Sequence, residues 1–246
     1  MTTIEDNGRL GNRIIRNLAV SLLAEKYNLQ VNYCNKELIN KLGIELYSGN
    51  KRHTKTIELT DTNYFLIYNS DNFNYNLYAK DYFQTKEITN FLYNYLHTDK
   101  IMSNIIKTNQ FKERYNTNND LCIHVRLTDA TRWNPGSTYY INAISNVNFD
   151  KLYIATDEVN HNIIIKLREL YPSSVLLKCD EITTIQFAST CKHIILSHGS
   201  FSALIGYLSF FSNIYYPDHE LNKLWCGDMF SIDNWIKLSV KSAVEM

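Results

Sequence analysis

The sequence predicts an α/β protein with a doubly wound parallel sheet in its second half, and three observations lead there. From Leu121 onward short apolar runs alternate with helical stretches, the order that builds a parallel sheet with helices on both faces. Near the start, Asn7-Gly8-Arg9-Leu10-Gly11-Asn12-Arg13 opens a long segment of helical periodicity. Residue types suited to an anionic ligand, above all His124 and Arg126, fall where strands end, which is where ligands bind in an open α/β sheet. The 246 residues fit one large domain or two small ones and suffice to bury a core.

The 25 basic and 25 acidic residues cancel, so a general polyanion-binding surface and a nucleic-acid partner are not expected, while a local basic pocket is still allowed. Five cysteines, Cys34, Cys122, Cys179, Cys191 and Cys226, are scattered without a C-x-x-C pair. That pattern points to reduced thiols rather than a disulfide framework or a zinc site. The opening Met-Thr-Thr-Ile-Glu-Asp lacks the pattern of a signal peptide, and the longest apolar tract, around residues 203–211, is too short to span a bilayer. The expectation is a cytoplasmic protein with no membrane span.

Taken in order, Ile14, Ile15, Leu18, Ala19, Leu22, Leu23 and Tyr27 recur at helical spacing, and residues 29–33 read as the strand that follows. The Gly8-x-x-Gly11 loop before this helix lets backbone approach a ligand closely and aims free amides at it, although a plain tight turn has the same signature. It is not the dinucleotide fingerprint, which needs a third glycine and a later carboxylate. Residues 36–76 are polar and Asn-rich, with strands expected at 57–59 and 64–68. Tyr82-Phe83-Gln84 leads into a helix through Ile88, Phe91, Leu92, Tyr95 and Leu96. The charged, Asn-rich stretch 107–119 is the candidate boundary, dividing the chain into domains 1–119 and 120–246.

Beyond it the pattern is regular. A strand at 121–126 precedes a loop with Asn134-Pro135-Gly136 and a helix around 139–145. A strand at 152–155 ends in Thr156-Asp157 before a helix at 159–170. Strand 175–177, helix 184–190 and strand 193–196 follow, ending in Ser197-His198-Gly199-Ser200. A buried helix over 201–211 and a strand at 214–216, stopped by Pro217, complete the series.

The strand ends thus gather His124, Arg126, Asp157 and the loop from Ser197 to Ser202. Such a set suits a nucleoside diphosphate: a guanidinium and a helix N-terminus for phosphates, a carboxylate for base or ribose. Each residue also has a purely structural alternative. Arg126 could be salt-bridged beside a satisfied His124, Ser200 and Ser202 could cap a helix at about 1 kcal/mol, and Asp157 could cap the next one. No catalytic triad, Walker loop or metal cluster stands out, and no Asp-x-Asp pair occurs, so no metal is expected.

These pieces in this order resemble the alpha-1,2-fucosyltransferase family and its wider superfamily of inverting enzymes that use GDP-fucose. The family's opening G-G-L-G-N-Q is similar to Gly8-Arg9-Leu10-Gly11-Asn12-Arg13, and its G-Y-F-Q-S-E to Asp81-Tyr82-Phe83-Gln84-Thr85-Lys86. Its H-x-R-R-x-D looks like His124-Val125-Arg126-Leu127-Thr128-Asp129, followed by Tyr139-Tyr140-Ile141-Asn142-Ala143-Ile144 for Y-Y-x-x-A-I. Thr156-Asp157, then Cys191-Lys192-His193 and Gly199-Ser200-Phe201-Ser202, complete the match.

The resemblance implies a GT-B fold of two Rossmann-like domains, an acceptor-side first domain and a second that holds the nucleotide sugar. It implies a metal-independent, inverting hexosyltransferase of carbohydrate biosynthesis, moving L-fucose from GDP-L-fucose to a hydroxyl of a glycan acceptor without a cofactor. By resemblance, Arg126 binds the donor pyrophosphate and stabilises departing GDP, Asp157 with His124 contacts guanine, and Ser200, Phe201 and Ser202 add phosphate contacts. Gly8, Gly11 and Asn12 of the first domain would also serve the donor. For a base to take the acceptor's proton, Asp129, Glu5 and Asp6 are the candidates, and Asp129 has a turn or supporting role as its structural alternative. Two departures stand out: Leu127 replaces the second Arg of the hallmark, with Thr128 after it, and the chain is short, which implies trimmed acceptor-side loops within 36–76. The missing charge leaves room for another nucleotide-sugar donor, and a catalytically silent nucleotide-sugar-binding protein is the alternative from a different class.

Overall fold

A computed structural model describes residues 1–218 and 227–240. The chain divides into two units. The first is formed by Met1–Thr108, which residues 227–229 rejoin, and the second by the chain from Asn109 on apart from that short return. Asn109–Asn119, charged and without periodicity, is tied to the second unit: Asn109 Nδ2 donates to the Gln186 carbonyl at 2.9 Å and Arg114 pairs with Asp120 at 2.7 Å.

In the first unit β1 (Thr2–Ile4) leads through the glycine loop into α1 (Leu10–Tyr27), and β2 (Val31–Asn32) and α2 (Lys36–Asn40) follow. Then come β3 (Thr56–Leu59), α3 (Tyr64–Tyr68), β4 (Asn76–Ala79), α4 (Lys86–Leu96) and α5 (Asp99–Thr108). The four strands are parallel in the order β2-β1-β4-β3. The apolar stripe expected for α1 is there and buried, and Asn28 in the left-handed region ends the helix.

Residues 64–68 form a helix, not the expected strand. Their unbroken apolar run carries no alternation, so periodicity could not choose, and the aromatic content favoured a strand. In the fold, Tyr64 and Ile67 turn inward while Leu66 is 77% exposed, and Tyr64 stacks on Tyr68 one turn on. Asn63 fixes the entry by accepting from the Thr60 amide and donating to the Glu58 carbonyl. β1 escaped the sequence pattern because two of its three residues are threonines; Thr2 is fully buried, and its hydroxyl accepts from the Leu77 amide at 3.0 Å.

The second unit runs β5 (Leu121–Val125), α6 (Ser137–Ser145), β6 (Leu152–Thr156), α7 (Asn162–Leu170), β7 (Val175–Leu176) and α8 (Glu181–Ala188). It continues through β8 (His193–Ile195), α9 (Ser200–Tyr207), β9 (Asn213–Pro217) and β10 (Ile236–Leu238). All six strands are parallel, in the order β10-β9-β8-β5-β6-β7. Counted from β5, this is the doubly wound 3-2-1-4-5-6 order, and it reverses direction between β5 and β8. The predicted strands and helices lie here with boundaries shifted by capping. His161, not Asp157, caps α7 by accepting from the Ile163 amide, and Asp180 caps α8 by accepting from Thr183. Leu121, Ile123, Val125 and Leu127 pack with Tyr139, Tyr140, Ile144 and Ile154 in one core.

Among the described residues no helix is long and apolar enough to cross a membrane. Cys34, Cys122, Cys179 and Cys191 are free thiols, and Cys226 lies outside the described residues.

Candidate functional site

The point where the second sheet's strand order reverses lies between β5 and β8, so the chain leaving each strand there opens a crevice. Residues 126–129 leave β5 and residues 196–202 leave β8, and hydrogen bonds of His124 and Arg126 tie the two segments together. Ser197 Oγ accepts from the Arg126 amide at 3.3 Å and from the Tyr140 hydroxyl at 2.8 Å, and lies 3.2 Å from His198 Nδ1. Asn134 Nδ2 donates to the Arg126 carbonyl at 2.7 Å and to Tyr140 Oη at 3.2 Å. Both backbone groups of Arg126 are therefore held, which fixes the base of its side chain.

The guanidinium itself sits between two carboxylates. Arg126 NH1 is 2.8 Å from Asp157 Oδ2, and NH2 donates to Asp129 Oδ1. The carboxylates differ in how firmly they are held. Asp157 also accepts from the Leu127 amide at 2.8 Å and the Thr128 hydroxyl at 2.6 Å, and is 22% exposed; Asp129 is 52% exposed. Burial would raise the Asp157 carboxyl, but the Thr128 hydroxyl, the Leu127 amide and the Arg126 charge outweigh it and hold it below its ordinary value. Asp157 thus shapes the turn that begins at Thr128.

His124 is 4% exposed, its Nδ1 3.0 Å from Ser202 Oγ and its ring 5.2 Å from that of Phe201. Burial lowers its pKa to about 3, so the ring is neutral at physiological pH. Ser202 is fully buried and also accepts from the Ser197 amide at 2.8 Å. Gly199 occupies the cap position of α9 and no side chain caps it, so neither Ser200 nor Ser202 serves there. Ser200 and Phe201, in the first turn, are half-buried.

In the first unit the glycine loop after β1 is built around Arg16, which is 1% exposed. Its guanidinium donates to the carbonyls of Asn7, Ala79 and Lys80 at 3.0–3.1 Å, lies 3.6 Å from Glu5 and stacks 5.3 Å over Tyr82. Gly8 has φ +85°, and a Cβ there would meet Asn12 Nδ2 at 2.6 Å; the close packing requires glycine on both counts. Gln84, also fully buried, donates to Asn12 Oδ1 at 2.8 Å. Gly11 is buried in the first turn of α1, which has neither a side-chain cap nor an acidic residue. Glu5 and Asp6 are paired with Arg16 and Arg13.

Thus His124, Arg126, Asp129, Asp157 and Ser202 form one bonded group in the second unit, with Phe201 against it. Gly8, Gly11 and Asn12 form a second group in the first unit. Ser197, expected in the site as part of its loop, and Asn134 and Tyr140, present in the sequence motifs without a role, hold the backbone of Arg126. Arg16 is not among the expected site residues, although an arginine inside the apolar run Ile14-Ile15-x-x-Leu18 is itself a signal of a compensated buried charge.

No protein-family model matches the sequence, and no curated protein matches it significantly. Among solved structures, the chain is similar to the Escherichia coli heptosyltransferase WaaC with ADP, at a TM-score of 0.51 and 8% identity over 97% of this chain and 92% of that one. The same enzyme with ADP-2-deoxy-2-fluoro heptose gives 0.49 and 8% over 96% and 92%. POFUT1 in complex with GDP-fucose gives 0.39 and 9% over 85% and 92%. At this identity the first of these likenesses shows the fold alone: an α/β chain of two Rossmann-like units with parallel sheets, of the GT-B type.

Proposed function

We propose that the chain is a metal-independent, inverting glycosyltransferase that moves a sugar, L-fucose in the first instance, from a GDP-sugar to a hydroxyl of a glycan. The single observation that carries this is the placement of Arg126 and the uncapped start of α9 at the strand-order reversal of a doubly wound sheet. A guanidinium there binds diphosphate oxygens in pairs and stabilises charge as the leaving group departs. Gly8, Gly11 and Asn12 of the first unit are proposed as further donor contacts, on a loop whose turn at Gly8 requires glycine.

Electrostatics sets a condition on this proposal. One cation facing two carboxylates is a poor anion site, so a diphosphate must displace one of them. Asp129 is the one to leave, since its carboxylate is the more exposed of the two and the closer to water that can take over its solvation. Its release would then supply a carboxylate to take the acceptor's proton as the sugar is transferred. Asp129→Asn is expected to tighten GDP binding several-fold while abolishing most transfer, whereas looser GDP binding in this variant would rule out the displacement.

Thermal shift with GDP, UDP and dTDP tests the donor. A ligand at about a hundred times its dissociation constant stabilises by roughly 2.7 kcal/mol. GDP is expected to shift the unmutated protein and not Arg126→Ala. A second nucleotide is favoured by one observation: Leu127, where the family pattern has a second Arg, is fully buried in the core and offers no charge to the site. A shift with UDP and none with GDP would select that alternative, and binding without transfer to any acceptor would select a silent nucleotide-sugar-binding protein.

A further inference from the structure

Ser202 carries one hydroxyl proton, and its surroundings decide where that proton goes. The oxygen accepts from the Ser197 amide, an unambiguous donor, at 2.8 Å. The residue is fully buried, and among the described residues the other hydrogen-bonding atom within reach is His124 Nδ1, at 3.0 Å. If Nδ1 carried the hydrogen, Oγ would accept twice and its own proton would be buried without an acceptor, a loss that folded proteins avoid. The lower-energy arrangement has the hydroxyl donating to Nδ1. Nδ1 is then the acceptor, and in a neutral ring Nε2 bears the hydrogen. Burial keeps the ring neutral. Nε2 has no hydrogen-bond partner among the described residues and is not one of their sealed, unsatisfied atoms.

We infer that Ser202 is a positioning residue that locks His124 in the Nε2–H tautomer, so that the imidazole presents a fixed, neutral hydrogen-bond donor at the carboxyl end of β5 to an oxygen of the bound donor substrate. The inference rests on the nucleotide-sugar proposal for the ligand and goes beyond it in assigning Ser202 to the histidine rather than to phosphate. A neutral donor beside Arg126 has a chemical use: it directs a hydrogen bond to one oxygen without adding a second charge that would hold the diphosphate after transfer.

Long-range proton–nitrogen correlation on the uniformly nitrogen-15-labelled, ligand-free protein at neutral pH reads the tautomer directly. The expected result is a pyridine-type Nδ1 and a pyrrole-type Nε2 for His124. A protonated Nδ1, or a ring charged at that pH, overturns the inference. In Ser202→Ala the two nitrogens should move toward averaged values and GDP affinity should fall on the order of ten-fold, the cost of one hydrogen bond to a charged group. Ser202→Thr, which keeps the hydroxyl, should restore both. His124→Gln, which can place an amide nitrogen near the Nε2 position, should bind GDP better than His124→Asn, and this comparison serves if Ser202→Ala fails to fold. Equal binding by the two histidine variants, or an unchanged spectrum in Ser202→Ala, would also refute the assignment. If the spectrum is as expected and GDP does not bind the unmutated protein, it is the donor proposal that fails and the tautomer lock that stands.

Discussion

At the scale of single residues, His124 links the chemistry of the site to the stability of the unit that carries it. Its ring takes up a proton in the folded chain only near pH 3, whereas the ordinary value is 6.5. Between these values the unfolded chain binds more protons than the folded one, so stability is fully present above about 6.5 and is lost as pH falls toward 3. The slope approaches about 1.4 kcal/mol per pH unit, which makes a fall on the order of 2 kcal/mol between pH 7 and pH 5. Urea unfolding at these two pH values should show that fall, and His124→Gln should remove it. Asp157 does not confuse the measurement, because its carboxyl is held below 3.8 and titrates beneath this window. His193, also lowered by its burial, contributes to both proteins alike. A pH slope that survives in His124→Gln would show that the buried ring is not its source.

At the scale of elements, Leu127 shows what a motif does and does not say. The resemblance placed an arginine there, and the fold shows why this chain has none: the side chain is fully buried with Val125, Tyr139 and Tyr140. Leu127→Arg is therefore expected to destabilise by at least about 3 kcal/mol, because the core offers the new charge no partner. A variant that kept its urea midpoint and bound GDP more tightly would mean that the turn can swing the new guanidinium into the crevice. The same strand marks the limit of legibility. Residues 121–126 could be read as a strand delivering His124 and Arg126 to one crevice because apolar runs and strand periodicity are local properties of sequence. The pairing of His124 with Ser202, 78 residues away, and the holding of Asp157 by the Leu127 amide are properties of strand order, which no local pattern carries. In the first unit the short strands and the helix at 64–68 were harder to read, since Thr2 and Asn76 are buried polar residues and Tyr64–Tyr68 lacks any alternation.

At the scale of the whole molecule, the edge strand of the second sheet comes last in the described chain. Between β9 and β10 the chain returns through residues 227–229 to the first unit, where Gly227, at φ +87°, lies against the Gln84 carbonyl. The closing segment is anchored on α9 by Trp235, which packs with Tyr207, Tyr216 and Phe230. Gly206 makes room for it: a Cβ there would stand 2.4 Å from the indole Cη2. Since α9 also begins with Ser200, Phe201 and Ser202, the seat of Trp235 and the site share one helix. Two substitutions and their combination test this. Gly206→Ala should cost about 1–3 kcal/mol through overpacking, and Trp235→Ala a similar or larger amount, about 2–4 kcal/mol, through the lost aromatic contacts. The combination should not be additive. With the indole gone the added methyl has space, and alanine is the better helix former by about 1 kcal/mol, so Gly206→Ala should turn from destabilising to neutral or stabilising in the Trp235→Ala background. Additive costs in urea unfolding would mean that Gly206 is needed for something other than the tryptophan, and that the edge strand is not held on the helix that carries the site.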